Sequence, residues 1–125
     1  MERPCILVVE EQRELASIVM GMRDTVGFEI TAVSTIAHLR KALVEHSFDF
    51  IMIDLYMPES DRFELIIDLA DIRCQSPIIF TSGQGGMLLD VAGKIARTQG
   101  LNLIGLLDRP VQPEDLRLLL QKSAA

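Results

Sequence analysis

Phe48-Asp49-Phe50-Ile51-Met52-Ile53-Asp54-Leu55-Tyr56-Met57-Pro58 is the stretch on which the fold turns. Phe50 to Ile53 form a short apolar run that closes on an aspartate, and runs of that length read as strands. Working outward, the same unit recurs. Upstream, Ile6-Leu7-Val8-Val9 is rich in β-branched residues, the mark of a strand buried on both faces, and it closes on Glu10-Glu11. Downstream, Ile78-Ile79-Phe80 follows the break at Ser76-Pro77 and closes on Thr81-Ser82. Phe28 to Val33 alternates as a half-buried strand does, and Leu101 to Ile104 starts a fifth strand that leads to Asp108-Arg109-Pro110.

Helical periodicity fills the intervals. Leu15, Ile18, Val19 and Met22 form one apolar stripe, with Gly27 suited to the chain reversal after it. Ser34 or Thr35 caps a second helix carrying Ile36, Leu39, the stem of Arg40 and Leu43. Phe63, Ile66, Ile67 and Ala70 give a third stripe, and Leu88, Val91, Ala92 and Ile95 a fourth that Gly100 ends. Pro113 opens a fifth helix, with Glu114 and Asp115 near its positive end and Leu116, Leu119 and Leu120 inward. Leu118 points away from that stripe.

Strict alternation of strand and helix specifies an α/β fold, a doubly wound parallel sheet with right-handed crossovers. The expected strand order is 2-1-3-4-5, across residues 1–125 as one domain. Sheets of this kind hold their sites at the carboxyl ends of the strands. Glu10, Glu11, Asp54, Thr81, Ser82, Asp108 and Arg109 are then expected on one rim. Carboxylates crowded together repel unless a cation lies among them, and Mg2+ suits oxygen ligands and water.

Composition narrows the partners. The 125 residues carry a net charge of −6 without a basic cluster, which argues against direct contact with nucleic acid. No run approaches the length a membrane helix needs, and no signal peptide is visible, so a cytoplasmic location and no membrane are expected. Cys5 and Cys74 read as free thiols, and His38 and His46 as exposed helix residues away from the strand ends. Gly83-Gln84-Gly85-Gly86 lacks the lysine of a P-loop and reads as a plain loop. The chain stops soon after its fifth helix, so no output domain is expected within it.

Four strings, in order, resemble the receiver domains of two-component response regulators: Ile6 to Glu11, Phe48 to Pro58, Pro77 to Gly83, and Leu107 to Pro110. The resemblance covers the whole chain and implies a flavodoxin-like (βα)5 fold and a signalling domain rather than an enzyme. It implies that Asp54 is the phosphoacceptor. It further implies that Glu11, Asp54 and the main-chain carbonyl of Tyr56 hold Mg2+, and that Glu10 acts through water. Ser82 and Arg109 would meet the phosphoryl oxygens, Arg109 standing where the family has lysine, before a cis bond to Pro110. Implied partners are a sensor histidine kinase or phosphotransfer protein, with a homodimer or output domain meeting the fourth helix, fifth strand and fifth helix. Residues 82–107 also resemble receivers joined to EAL-type cyclic-di-GMP phosphodiesterase domains.

Several residues depart from the family pattern. The acidic pair is Glu-Glu, Leu106 replaces an aromatic switch residue, and Glu59 and Arg62 replace small residues after Asp54. A phosphorylation-independent pseudo-receiver, acting only as an interaction module, is therefore the alternative. A phosphatase of the haloacid-dehalogenase kind would need an aspartate where Tyr56 stands.

Overall fold

The computed structural model describes residues 4–11, 14–22, 27–83 and 86–124; Gln84 and Gly85 of the glycine-rich loop lie outside them. Five strands are β1 (Cys5–Val9), β2 (Glu29–Val33), β3 (Phe50–Asp54), β4 (Ile78–Ser82) and β5 (Leu103–Asp108). Among the described residues, five helices are α1 (Glu14–Gly21), α2 (Ile36–Glu45), α3 (Glu59–Asp71), α4 (Gly86–Thr98) and α5 (Pro113–Ala124). All strand pairs are parallel, as the alternation requires, and their order is β2-β1-β3-β4-β5.

Helices cover both faces. On one face Ile6, Val8, Met52 and Ile79 pack with Leu15 and Val19 of α1 and Leu116 and Leu120 of α5. On the other, Leu7, Ile51, Ile53 and Phe80 pack with Leu39 of α2, Leu65 and Leu69 of α3 and Leu89 of α4. Hence every residue of β3 and β4 is buried, while the edge strand β2 is half open. Each fully buried large aliphatic contributes about 1.5–3 kcal/mol, which makes this double core the main source of stability.

Thr35 caps α2 by accepting from the His38 amide, and His38 and His46 are exposed. Gly100 ends α4 with φ of +84°, a left-handed turn that glycine adopts without strain. The apolar face of α3 is rotated from the expected one. Leu65, Ile66 and Leu69 are buried, whereas Phe63 and Ile67 are exposed. The segment is apolar around much of its circumference, so period alone allowed two phases. Val91 of α4 is likewise exposed, and Leu89, Ala92, Gly93 and Ala96 face inward.

Strand β5 begins two residues later than its sequence reading and ends at Asp108, as that reading expects. Its register slips beside β4: Ile78 pairs with Leu103, but Ile79 pairs with Gly105, so Ile104 has no partner. The bulge puts Ile104 and Gly105 on the same side of the strand. Leu103 and Leu106 then pack with the α2–α4 core, and Ile104 and Leu107 with the α1/α5 core. Gly105 admits the side chain of Leu119, whose Cδ1 lies 2.4 Å from where a Cβ would stand.

Candidate functional site

Because the strands are parallel, their carboxyl ends form one rim, and backbone bonds extend the ladder past the strands. The Glu10 amide donates to Val33 O at 3.0 Å, the Leu55 amide to Thr81 O at 2.8 Å, and the Arg109 amide to Ser82 O at 3.0 Å. The residues expected at the site are thereby carried on neighbouring, mutually bonded backbones.

Asp54 is 1% exposed. Its Oδ1 accepts from the Tyr56 amide at 3.0 Å, and its Oδ2 accepts from Arg109 Nη1 at 2.6 Å. The Arg109 side chain is 14% exposed, so this ion pair is largely shielded from water and is stronger than a surface pair. The Arg109–Pro110 peptide is cis. The other terminal nitrogen of the guanidinium, Nη2, bonds Glu14 of α1, so one arginine spans two carboxylates.

Glu10 is buried, and both its oxygens accept main-chain N–H groups of α1: Oε2 from Leu15 at 2.9 Å and Oε1 from Ala16 at 2.7 Å. These are amides that a helix start leaves without internal partners, and negative charge is favoured there. Burial pushes the Glu10 carboxyl above its ordinary value of 4.5; the Ala16 and Leu15 amides oppose that shift, and the nearby Asp54 charge adds to it. Glu11 is exposed and lines a groove with Met57, Asp61 and Glu64. Ser82 is 1% exposed at the end of β4.

Three further residues were not assigned roles by the sequence. Arg62 reaches back from α3, and its Nη1 donates to Met57 O at 2.6 Å and Leu55 O at 3.2 Å. It therefore grips the loop on both sides of Tyr56. Glu14 lies in the first turn of α1, and nothing but the fold brings Arg109 to it. Thr81 is fully buried beside Asp54 in the sheet register, and its hydroxyl has no hydrogen-bond partner among the described residues.

The rim is rich in carboxylates, with Glu10, Glu11, Glu14 and Asp54, while the guanidinium of Arg109 bonds two of them and that of Arg62 bonds main-chain carbonyls. A hard dication with oxygen ligands fits that charge and those donors. No three His, Cys, Asp or Glu residues among those described converge closely enough to enclose a metal unaided. Carbonyl and water oxygens would have to complete its shell.

Comparison with known proteins agrees with this architecture. The family described as response regulator receiver domain matches residues 6–121. The transcriptional regulatory protein CpxR of Klebsiella pneumoniae subsp. pneumoniae (strain HS11286) is 30% identical over 88 residues, covering 70% of this chain. The matched part is 37% of that relative, so the chain spans well under two thirds of its length. Among solved structures, the signal receiver domain of an HD domain-containing protein from Pseudomonas fluorescens Pf-5 superposes with a TM-score of 0.81 at 16% identity. That match covers 98% of this chain and 95% of the other. The beryllofluoride-activated NtrC4 receiver domain dimer gives 0.78 at 20% identity, covering 95% and 94%.

Proposed function

The chain belongs to the response regulator receiver domain family, and from that premise we propose that it accepts a phosphoryl group on Asp54 in a Mg2+-dependent reaction and thereby switches a partner surface. The observation that carries this reading is the buried Asp54 carboxylate on the rim, held by Nη1 of Arg109.

In the proposed reaction, one Asp54 oxygen attacks the phosphorus of a phosphohistidine on a sensor kinase or phosphotransfer protein. The new P–O bond forms as the P–N bond breaks, and the electron pair leaves on the imidazole nitrogen, which takes up a proton. Glu11, Asp54 and the Tyr56 carbonyl would hold the magnesium ion, with Glu10 acting through water. When bound, the ion supplies charge neutralisation where carboxylate and phosphoryl oxygens meet. Arg109 orients Asp54 beforehand and then bonds the incoming oxygens, and Ser82 contributes a hydroxyl donor. A phosphoryl group adds about −1.5 to −2 charge at pH 7, enough to redistribute the donors around it.

The surface that responds is proposed to comprise α4, β5 and α5. Leu118 is 55% exposed there and lines a shallow groove with Gly105, Leu106 and Leu119. A homodimer or an output domain is the proposed occupant. No helix among the described residues is long and apolar enough to cross a membrane, and the site is proposed to work in the cytoplasm.

Mass spectrometry after incubation with acetyl phosphate and Mg2+ tests the assignment. Wild type should gain one phosphoryl mass and Asp54→Asn none. Equal labelling of the two would remove Asp54 as the acceptor, and no labelling of wild type would move the chain to the pseudo-receiver alternative.

A further inference from the structure

Arg109 divides its two terminal nitrogens between two acids of opposite character. Asp54 is 1% exposed at its side chain, and Glu14 is 68% exposed. Arginine binds a phosphoryl group best when two parallel N–H donors face two oxygens. Here Nη1 is on Asp54, but Nη2 is on Glu14. The parallel pair of donors on Nη1 and Nη2 faces a phosphoryl group on Asp54 only when Nη2 leaves Glu14.

We infer that Glu14 is a positioning residue that competes with the phosphoryl group for Arg109 and so weakens the site's hold on it. The inference rests on the phosphoacceptor reading above and adds a regulator to it. Two effects act in the same direction. Glu14 occupies the second donor in the resting state. Its carboxylate also lies on the far side of one guanidinium from the position the phosphoryl charge would take, and like charges at that separation repel. A single exposed ion pair is weak, so the competition is mild and salt-sensitive. A switch that must release its phosphoryl group is served by an opponent of that strength. Sequence alone conceals the pairing, because the two partners are separated by 95 positions.

Calorimetric titration with beryllofluoride in Mg2+ tests the inference on three proteins: wild type, Glu14→Gln and Glu45→Gln. Glu45 ends α2, just before the amino end of β3 and so away from the carboxyl-end rim, and serves as a charge-matched control. Glu14→Gln should bind about two- to five-fold more tightly than wild type at low salt, the range set by one exposed pair. The gain should shrink toward none at about 1 M salt, where the screening length is roughly 3 Å. Glu45→Gln should match wild type throughout. Unchanged or weaker binding by Glu14→Gln at low salt, a gain shared by Glu45→Gln, or a gain indifferent to salt would each overturn the role of Glu14 while leaving Asp54 in place. Failure of wild type itself to bind would overturn the phosphoacceptor reading, and this inference with it.

Discussion

Thr81 and Arg109, each beside Asp54, carry opposite consequences. The Thr81 hydroxyl is buried without a partner among the described residues. A buried, unsatisfied polar group costs about 1–3 kcal/mol, and its replacement by an apolar group of the same shape relieves that cost. Thr81→Val should therefore raise stability by about 1 kcal/mol, read as a higher urea midpoint with an unchanged slope. Arg109 is the reverse case, a partnered cation whose removal leaves the buried Asp54 carboxylate without its ion pair. Arg109→Ala should weaken beryllofluoride binding by about 1–3 kcal/mol, the range for losing a hydrogen bond to a charged group. Titration showing equal affinity would reduce Arg109 to a structural partner of Glu14. Asp54, Ser82 and Arg109 were legible in the sequence because each ends or follows a strand, and parallel strands bring such ends together. Glu14 and Arg62 were not, since their partners depend on where α1 and α3 are laid against the rim.

At the level of elements, α1 depends on a residue outside itself. Glu10 follows β1, yet its carboxylate closes two amides at the start of α1. Substituting a cap residue by alanine costs about 0.5–2 kcal/mol. The raised pKa of Glu10 shows that burying its charge already costs something, so part of that loss is offset. Glu10→Ala should lower stability by about 1 kcal/mol. Hydrogen exchange should quicken at the amides of Leu15 and Ala16 while those of β4 keep their protection, and uniform acceleration would refute a local role. The same scale shows where period-based reading stops. Strands β1, β3 and β4 were plain because both their faces are buried and their apolar runs are unbroken. The face of α3 was ambiguous because Phe63 and Ile67 form a second apolar stripe beside the buried one. The bulge in β5 was hidden because Leu103-Ile104 and Leu106-Leu107 each span both faces, with Gly105 between them, so simple alternation fails midway.

For the molecule as a whole, the sheet is a partition between two cores, with α1 and α5 on one side and α2, α3 and α4 on the other. A change on the rim can reach either helix layer through strands that have no free face. The bulge in β5 bears on how much the chain's length can vary without disturbing that arrangement. Beyond it, Leu106 pairs with Phe80 and Asp108 with Ser82, so the strand carries one more residue than β4 has places to pair. Deleting Gly105 would let Ile104 pair with Ile79, while Leu103, Ile104, Leu106 and Leu107 each keep their present side. The cost is the displacement of Leu119, about 1–3 kcal/mol for overpacking. The shortened protein should fold and bind beryllofluoride nearly as wild type does. Deletion of Leu107 should abolish binding, because it draws Arg109 one place inward and onto the wrong side. Loss of binding in both deletions would show that the bulge is itself required. If the first survives, the strand holds a spare residue, and the chain can be shortened there without losing count at its active end.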